Sequence, residues 1–148
     1  MENLKVSEIK SFVPAKDFDL SKRFYQSIGF EVMSEFHDIA YLRHGGCAFL
    51  LQNFYEPEHC HNYMMHLLVE DVKSWYQHIQ NSNVVSEFEV TVSEVVEQPW
   101  GMLEFCITDP SGVLWRVAEN IRPRSFIQLA LRPVKTSNYP SVSLFMPT

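Results

Sequence analysis

Between Asp17 and Gly29, Leu20, Phe24 and Ile28 recur every four residues. That spacing lines one face of an α-helix. Asp17 is a good N-cap and Gly29 a good C-terminal stop, so a helix is predicted between them. Residues 6–14 alternate loosely between apolar and polar positions and predict a strand before it. Three short strands are predicted after it, at Phe30–Ser34, Ile39–Arg43 and Ala48–Phe54, with His44-Gly45-Gly46 as the hairpin between the last two. The pattern then repeats. Met64–Val69 predicts a strand and Asp71 a helix cap. Val72, Trp75, Tyr76 and Ile79 form the buried stripe of that helix, and further strands are predicted near 85–90, 102–108 and 113–119.

Asp17 and Asp71 each follow a strand and open a helix, 54 residues apart. The order is therefore βαβββ twice, and two copies predict a pair of modules rather than a long array. The fold class is α+β: paired βαβββ modules (6–60 and 61–120) forming a curved open sheet with a concave cleft. Each four-stranded sheet has two faces; one takes the helix and the other must close on the second module or on a partner chain. Strand alternation sends Ile9, Val13, Leu67, Val69, Val113, Trp115 and Val117 toward the helices. It sends Lys10, Phe12, Met64, His66, Leu68, Leu114, Arg116 and Ala118 toward the cleft.

Composition narrows the function classes. The 148 residues suit one domain or two small fused modules, and 46% hydrophobic content supports a core without disulfides. No apolar run approaches the ~20 residues needed to cross a bilayer. The first residues lack the apolar stretch of a secretory signal, so a cytoplasmic location is expected. Cys47, Cys60 and Cys106 form no C-x-x-C pair, which favours reduced thiols. The net charge of −6 argues against a nucleic-acid partner. Charge is uneven: residues 121–148 carry Arg122, Arg124, Arg132 and Lys135 and no acid, together with four of the eight prolines. They are expected to form a basic C-terminal extension to a domain spanning 1–120, with Ser125–Leu131 as a short helix or strand.

Pro14-Ala15-Lys16-Asp17 through Phe24-Tyr25 and Gly29-Phe30, Val69-Glu70-Asp71-Val72 and Asp109-Pro110-Ser111-Gly112, set in the duplicated βαβββ order, resemble the vicinal oxygen chelate superfamily of glyoxalases, extradiol dioxygenases and bleomycin-resistance proteins. The resemblance covers about residues 6–120. It implies metal ligands on the first, fourth, fifth and eighth strands. The matching positions here are Lys10, Leu51 or Gln52, Met64 and Arg116. Divalent ions prefer carboxylate, imidazole or thiolate donors, and a lysine, a thioether and a guanidinium are poor substitutes. No metal or other cofactor is therefore expected.

Phe12 through Asp19, Gln98-Pro99-Trp100-Gly101 and Leu114-Trp115-Arg116 are similar to the metal-free bleomycin-resistance members, which hold a flat cationic drug in grooves at a homodimer interface. The resemblance makes Trp100 either a stacking residue at such a groove or a loop anchor on the core. It also implies a homodimer. Arg116 in an apolar strand needs a partner, either Glu104 or an anionic group of a ligand. The expected function is metal-free binding of a small organic molecule, an aromatic drug or metabolite, by Trp100, Arg116, His66, Met64, Lys10, Gln52 and Glu104, with no catalytic residue. The alternative is a glyoxalase- or dioxygenase-type enzyme holding a metal on the shifted set His66, Gln52 and Glu104. His66 shares the strand face of Met64, whereas His59-Cys60-His61 is expected in a solvated linker. Phe36, Tyr41 and Phe54 are candidate cleft aromatics, while Phe49 and Phe105 are expected in the core.

Overall fold

The computed structural model describes residues 1–121; the basic extension and the Ser125–Leu131 segment lie outside the described residues. The first module comprises β1 (Phe12–Pro14), α1 (Phe18–Ile28), β2 (Glu31–Phe36), β3 (Ile39–His44) and β4 (Cys47–Gln52). A short helix, α2 (Pro57–Asn62), leads to the second module: β5 (Met64–Leu68), α3 (Val72–Asn81), α4 (Val84–Phe88), β6 (Val96–Gln98), β7 (Met102–Thr108) and β8 (Leu114–Asn120). The sheets have equivalent orders, β1-β4-β3-β2 and β5-β8-β7-β6, with β1–β4 and β5–β8 parallel and the other pairs antiparallel. The doubled βαβββ plan is thus present.

Both helix caps follow from the sequence. Asp17 accepts from the backbone N–H of Leu20 at 3.0 Å, and Asp71 from that of Ser74 at 2.9 Å. These carboxylates satisfy amides that a helix start leaves unpaired. Gly29 ends α1 at φ 115°, donating to Gln26 and Tyr25 carbonyls from a left-handed conformation costly for any side chain.

Three predicted elements differ. The first strand begins at Phe12, not residue 6, because β4 pairs only with Phe12–Pro14. Lys10 therefore precedes the strand, and Ile9, expected against the helices, is exposed. Residues 84–88 form α4 rather than a strand. Val84 and Phe88, four apart, point into the core, a helical spacing hidden by the β-branched residues. The edge strand instead falls at Val96–Gln98. Finally, His59-Cys60-His61 lies in α2, with Cys60 buried rather than solvated.

One core joins the modules. Phe24 and Tyr25 of α1, Phe49 of β4, Phe105 and Ile107 of β7 and Trp115 of β8 are buried, and each such large side chain contributes roughly 1.5–3 kcal/mol. The rings of Phe49 and Trp115 lie 5.3 Å apart, and Tyr25 touches both at 4.9 and 5.6 Å. The helix-facing sides of the two sheets therefore meet in a shared interior. Their other faces carry exposed Phe12, Met64 and Leu68.

A buried polar network crosses the same junction. Tyr25 donates to Asp109 Oδ2 at 2.6 Å, Trp115 Nε1 donates to Tyr25 Oη at 2.9 Å, and Asp109 Oδ1 accepts from the amides of Ser111 and Val113. Ser111 Oγ accepts from the Lys16 amide at 2.8 Å. Burial pushes the Asp109 carboxyl above its usual range despite these bonds, and the Tyr25 hydroxyl well above its own, by burial and then the Asp109 charge. The Asp109-Pro110-Ser111-Gly112 turn thus pins α1 of the first module to β8 of the second.

Candidate ligand-binding face

Cross-strand partners point to the same side of a sheet, so the register assigns the outer face of the second sheet. His66, Arg116 and Cys106 form one rung across β5, β8 and β7; Met64, Leu114 and Thr108 form the next on one side. Leu68, Ala118, Glu104 and Val96 form the rung on the other. Alternation of these short strands thus brings Met64, His66, Glu104 and Arg116 onto one surface. Ala118 belongs to that face by register yet is buried.

Arg116 is the centre of the cluster. Its Nε and Nη2 donate to Glu104 Oε1 at 2.9 and 2.6 Å. Its guanidinium carbon lies 5.3 Å from the centroid of the Trp100 ring, and Nη1 lies 4.0 Å from the Met64 sulfur. The Glu104 side chain is 2% exposed and that of Arg116 28%. The guanidinium thereby neutralises a carboxylate that burial would otherwise make costly. Glu104 Oε2 is buried and has no hydrogen-bond partner among the described residues. Between the two partners foreseen for Arg116, the structure selects Glu104.

Trp100 follows the short edge strand β6, at a turn completed by Gly101 with φ 85°. The residue is 44% exposed. It is therefore not buried in the core: one part faces Arg116 and the rest faces solvent. His66 is exposed beside this cluster. Cys106, in the His66–Arg116 rung, was not foreseen as a member of this surface. Burial, then the Glu104 charge, holds its thiol above the usual range, which opposes a nucleophilic role.

The other two predicted residues lie with the first sheet. Lys10 Nζ pairs with Glu8 at 2.9 Å and sits over the Tyr41 ring. Glu8 also accepts from Tyr41 and Arg43, so residues preceding β1 are fastened to β3 by charge rather than by strand pairing. Gln52 ends β4, opposite Pro14 and Ile39, and its carbonyl accepts from Ala15 and Phe54 amides. Phe36 and Phe54 are exposed and Tyr41 is half-buried, whereas Phe49 and Phe105 are in the core as expected.

The positions at which the fold would hold a divalent ion do not fit one. They present an ammonium already paired with Glu8, a thioether, and a guanidinium whose neighbouring carboxylate is engaged. Of the shifted set, Gln52 stands on the first sheet while His66 and Glu104 stand on the second. Among the described residues, no group of three or more His, Cys, Asp and Glu side chains is placed to hold a metal.

Residues 8–117 match the Glyoxalase/Bleomycin resistance protein/Dioxygenase superfamily. The chain belongs to this superfamily. Among solved structures, it is similar to a bleomycin-binding protein complexed with bleomycin, with TM-score 0.65, 19% identity, and coverage of 78% of this chain and 99% of that one. An antibiotic binding protein from Streptomyces sp. CB03234 gives TM-score 0.63 and 19% identity over 80% and 99% of the two chains. Lactoylglutathione lyase from Agrobacterium tumefaciens gives 0.59 and 17% over 80% and 97%. At these identities the likeness is one of fold, and the superfamily's binders and enzymes share it. No curated protein matches the chain. No helix among the described residues is long and apolar enough to cross a membrane.

Proposed function

We propose that this protein binds a small aromatic molecule, a drug or a metabolite, on the outer face of its second sheet, without a metal and without chemistry, in the manner of the bleomycin-resistance members of its superfamily. The observation that carries the proposal is the Trp100–Arg116–Glu104 stack. At the eighth-strand position a guanidinium is held by a buried carboxylate and lies against a half-exposed indole. That arrangement supports the reading because it presents an aromatic surface to a ligand and pairs the carboxylate with a guanidinium rather than leaving it for an ion.

Exposed Phe12, Met64 and Leu68 on the outer sheet faces support a homodimer, in which a second chain walls the groove. Free Cys47, Cys60 and Cys106 suit a cytoplasmic protein. Lys10, Gln52 and His66 are proposed as groove residues, the first two reaching it from the first sheet of the partner.

Thermal-shift screening with cationic aromatic drugs beside small aromatic carboxylates tests the reading. A ligand at a hundred times its Kd stabilises the protein by ~2.7 kcal/mol. The expected result is stabilisation by an aromatic compound that Trp100→Ala measurably reduces. Stabilisation by divalent ions alone, together with turnover of an α-keto hemithioacetal or a catechol, would favour the enzyme instead.

A further inference from the structure

A second concavity lies away from the Trp100 face, at the seam between the modules. A cavity of about 340 Å³ is bounded by the end of α1 (Ile28, Gly29), His44 of the β3–β4 hairpin, and Ser74, Trp75 and His78 of α3. A neighbouring cavity of about 360 Å³ shares His44, Ser74 and Trp75 and extends to Glu70 and Asp71. Each reaches the size at which small-molecule sites begin. Trp75 stands between two imidazoles, with ring centroids 5.3 Å from His44 and 6.1 Å from His78.

Acceptors and carboxylates gather around this seam, beside two imidazoles and the amide end of α3 that Asp71 caps. His44 Nδ1 lies 2.7 Å from the Gly29 carbonyl oxygen, so in a neutral ring Nδ1 carries the hydrogen and Nε2 is left as an acceptor. The α1 C-terminus places the negative end of its dipole on the first cavity. Glu70 and Asp71 add carboxylates to the second; Asp71 is held below its usual range, chiefly by its bond to Ser74. No lysine or arginine lines either cavity among the described residues. A tryptophan ring flanked by acceptors and carboxylates attracts a cation with an apolar body.

We infer that the seam around Trp75 is a second binding site, for a small aromatic amine in its ammonium form, with the ring beside Trp75 between His44 and His78 and the ammonium toward Glu70 and Asp71. The site is centred elsewhere than the proposed groove at Trp100, because Trp75 belongs to α3, which packs on the helix-facing side of the sheet; only Leu68, at the far end of the second cavity, belongs to the outer face.

The test is a titration of the full chain with 2-phenylethylammonium, 2-phenylethanol and phenylacetate, followed by NMR at the indole N–H signals of Trp75 and Trp100. The ammonium is expected to shift Trp75 saturably and to bind about tenfold tighter than the alcohol, from cation–π and charge attraction. Phenylacetate is expected to bind more weakly still. Glu70→Gln, a surface change that leaves the Asp71 cap in place, should weaken the ammonium several-fold and the alcohol hardly at all; His78→Ala should weaken both. Equal binding of ammonium and carboxylate, no shift of Trp75 at millimolar probe, or a shift confined to Trp100 would overturn the inference. Failure at Trp75 overturns the inference and leaves the proposed groove standing, since the groove is tested by its own screen of aromatic compounds.

Discussion

Arg116→Met removes the positive charge beside Glu104 while keeping much of the apolar stem that packs along β8. The Glu104 side chain is 2% exposed and both of its hydrogen bonds come from Arg116. Breaking a fully buried pair costs roughly 3–5 kcal/mol, because the surviving charge stays desolvated. Arg116 is 28% exposed, so part of the pair is screened by water and the cost falls below that range, to about 2–3 kcal/mol. For a chain of this size that is a fall in Tm of roughly 4–12 °C. Glu104→Gln should cost less, because the amide still accepts from the guanidinium and the charge left behind reaches solvent. The double variant Glu104→Gln with Arg116→Met should recover at least 1 kcal/mol relative to the sum of the singles, a coupling typical of contacting partners. Urea unfolding of the four proteins at one pH gives all the terms. A loss under about 0.5 kcal/mol for Arg116→Met, or strict additivity in the double variant, would refute the claim that the guanidinium is there to neutralise Glu104.

Gly112 adopts φ 94°, and an added Cβ would stand 2.6 Å from His61 Cδ2; Gly112→Ala should destabilise by about 1–3 kcal/mol in a chemical denaturation series. Asp109 has a raised folded pKa, so the folded protein binds its proton more tightly than the unfolded chain does. Its ionised form therefore costs stability at neutral pH, and that cost fades as pH falls through the folded value toward 3.8. Wild type should accordingly gain stability relative to Asp109→Asn on acidification, read from paired melts between pH 7 and pH 4. Trp100→Ala should change unfolding free energy by less than about 1 kcal/mol, since the ring is half-exposed, and yet weaken an aromatic ligand by roughly 2- to 30-fold in calorimetric titration. Light scattering should give a dimer, and substituting Leu68 by Glu on the exposed sheet face should shift it toward monomer.

The duplicated plan was legible because caps and periodicity agree in both copies: Asp17 with Gly29, and Asp71 before Val72, Trp75, Tyr76 and Ile79. Strand alternation placed Met64, His66, Arg116 and Glu104 on one face because β5, β7 and β8 are regular along that stretch. It failed where local pattern and tertiary pairing diverge. Residues 6–11 alternate like a strand, but β4 offers partners only from Leu50 onward, so charge contacts from Glu8 take over. Val84-Val85 has the β-branched character of a strand, yet Val84 and Phe88 are buried as a helical pair. The Tyr25–Asp109–Trp115 network was hidden because its members are far apart in the chain, although the turn motif that supplies Asp109 was plain. The Trp75 seam left no signal beyond a tryptophan in an apolar helix stripe, whose ordinary explanation is the core.

The central claim, that the Trp100–Arg116 face holds an aromatic molecule without an ion, is tested most directly by calorimetric titration of an aromatic compound selected by thermal shift, before and after exhaustive chelation of the protein. The expected result is the same affinity in both samples and recovery of the compound unaltered. A stoichiometric divalent ion in the untreated protein, with binding or conversion of the compound lost on its removal, would contradict the account.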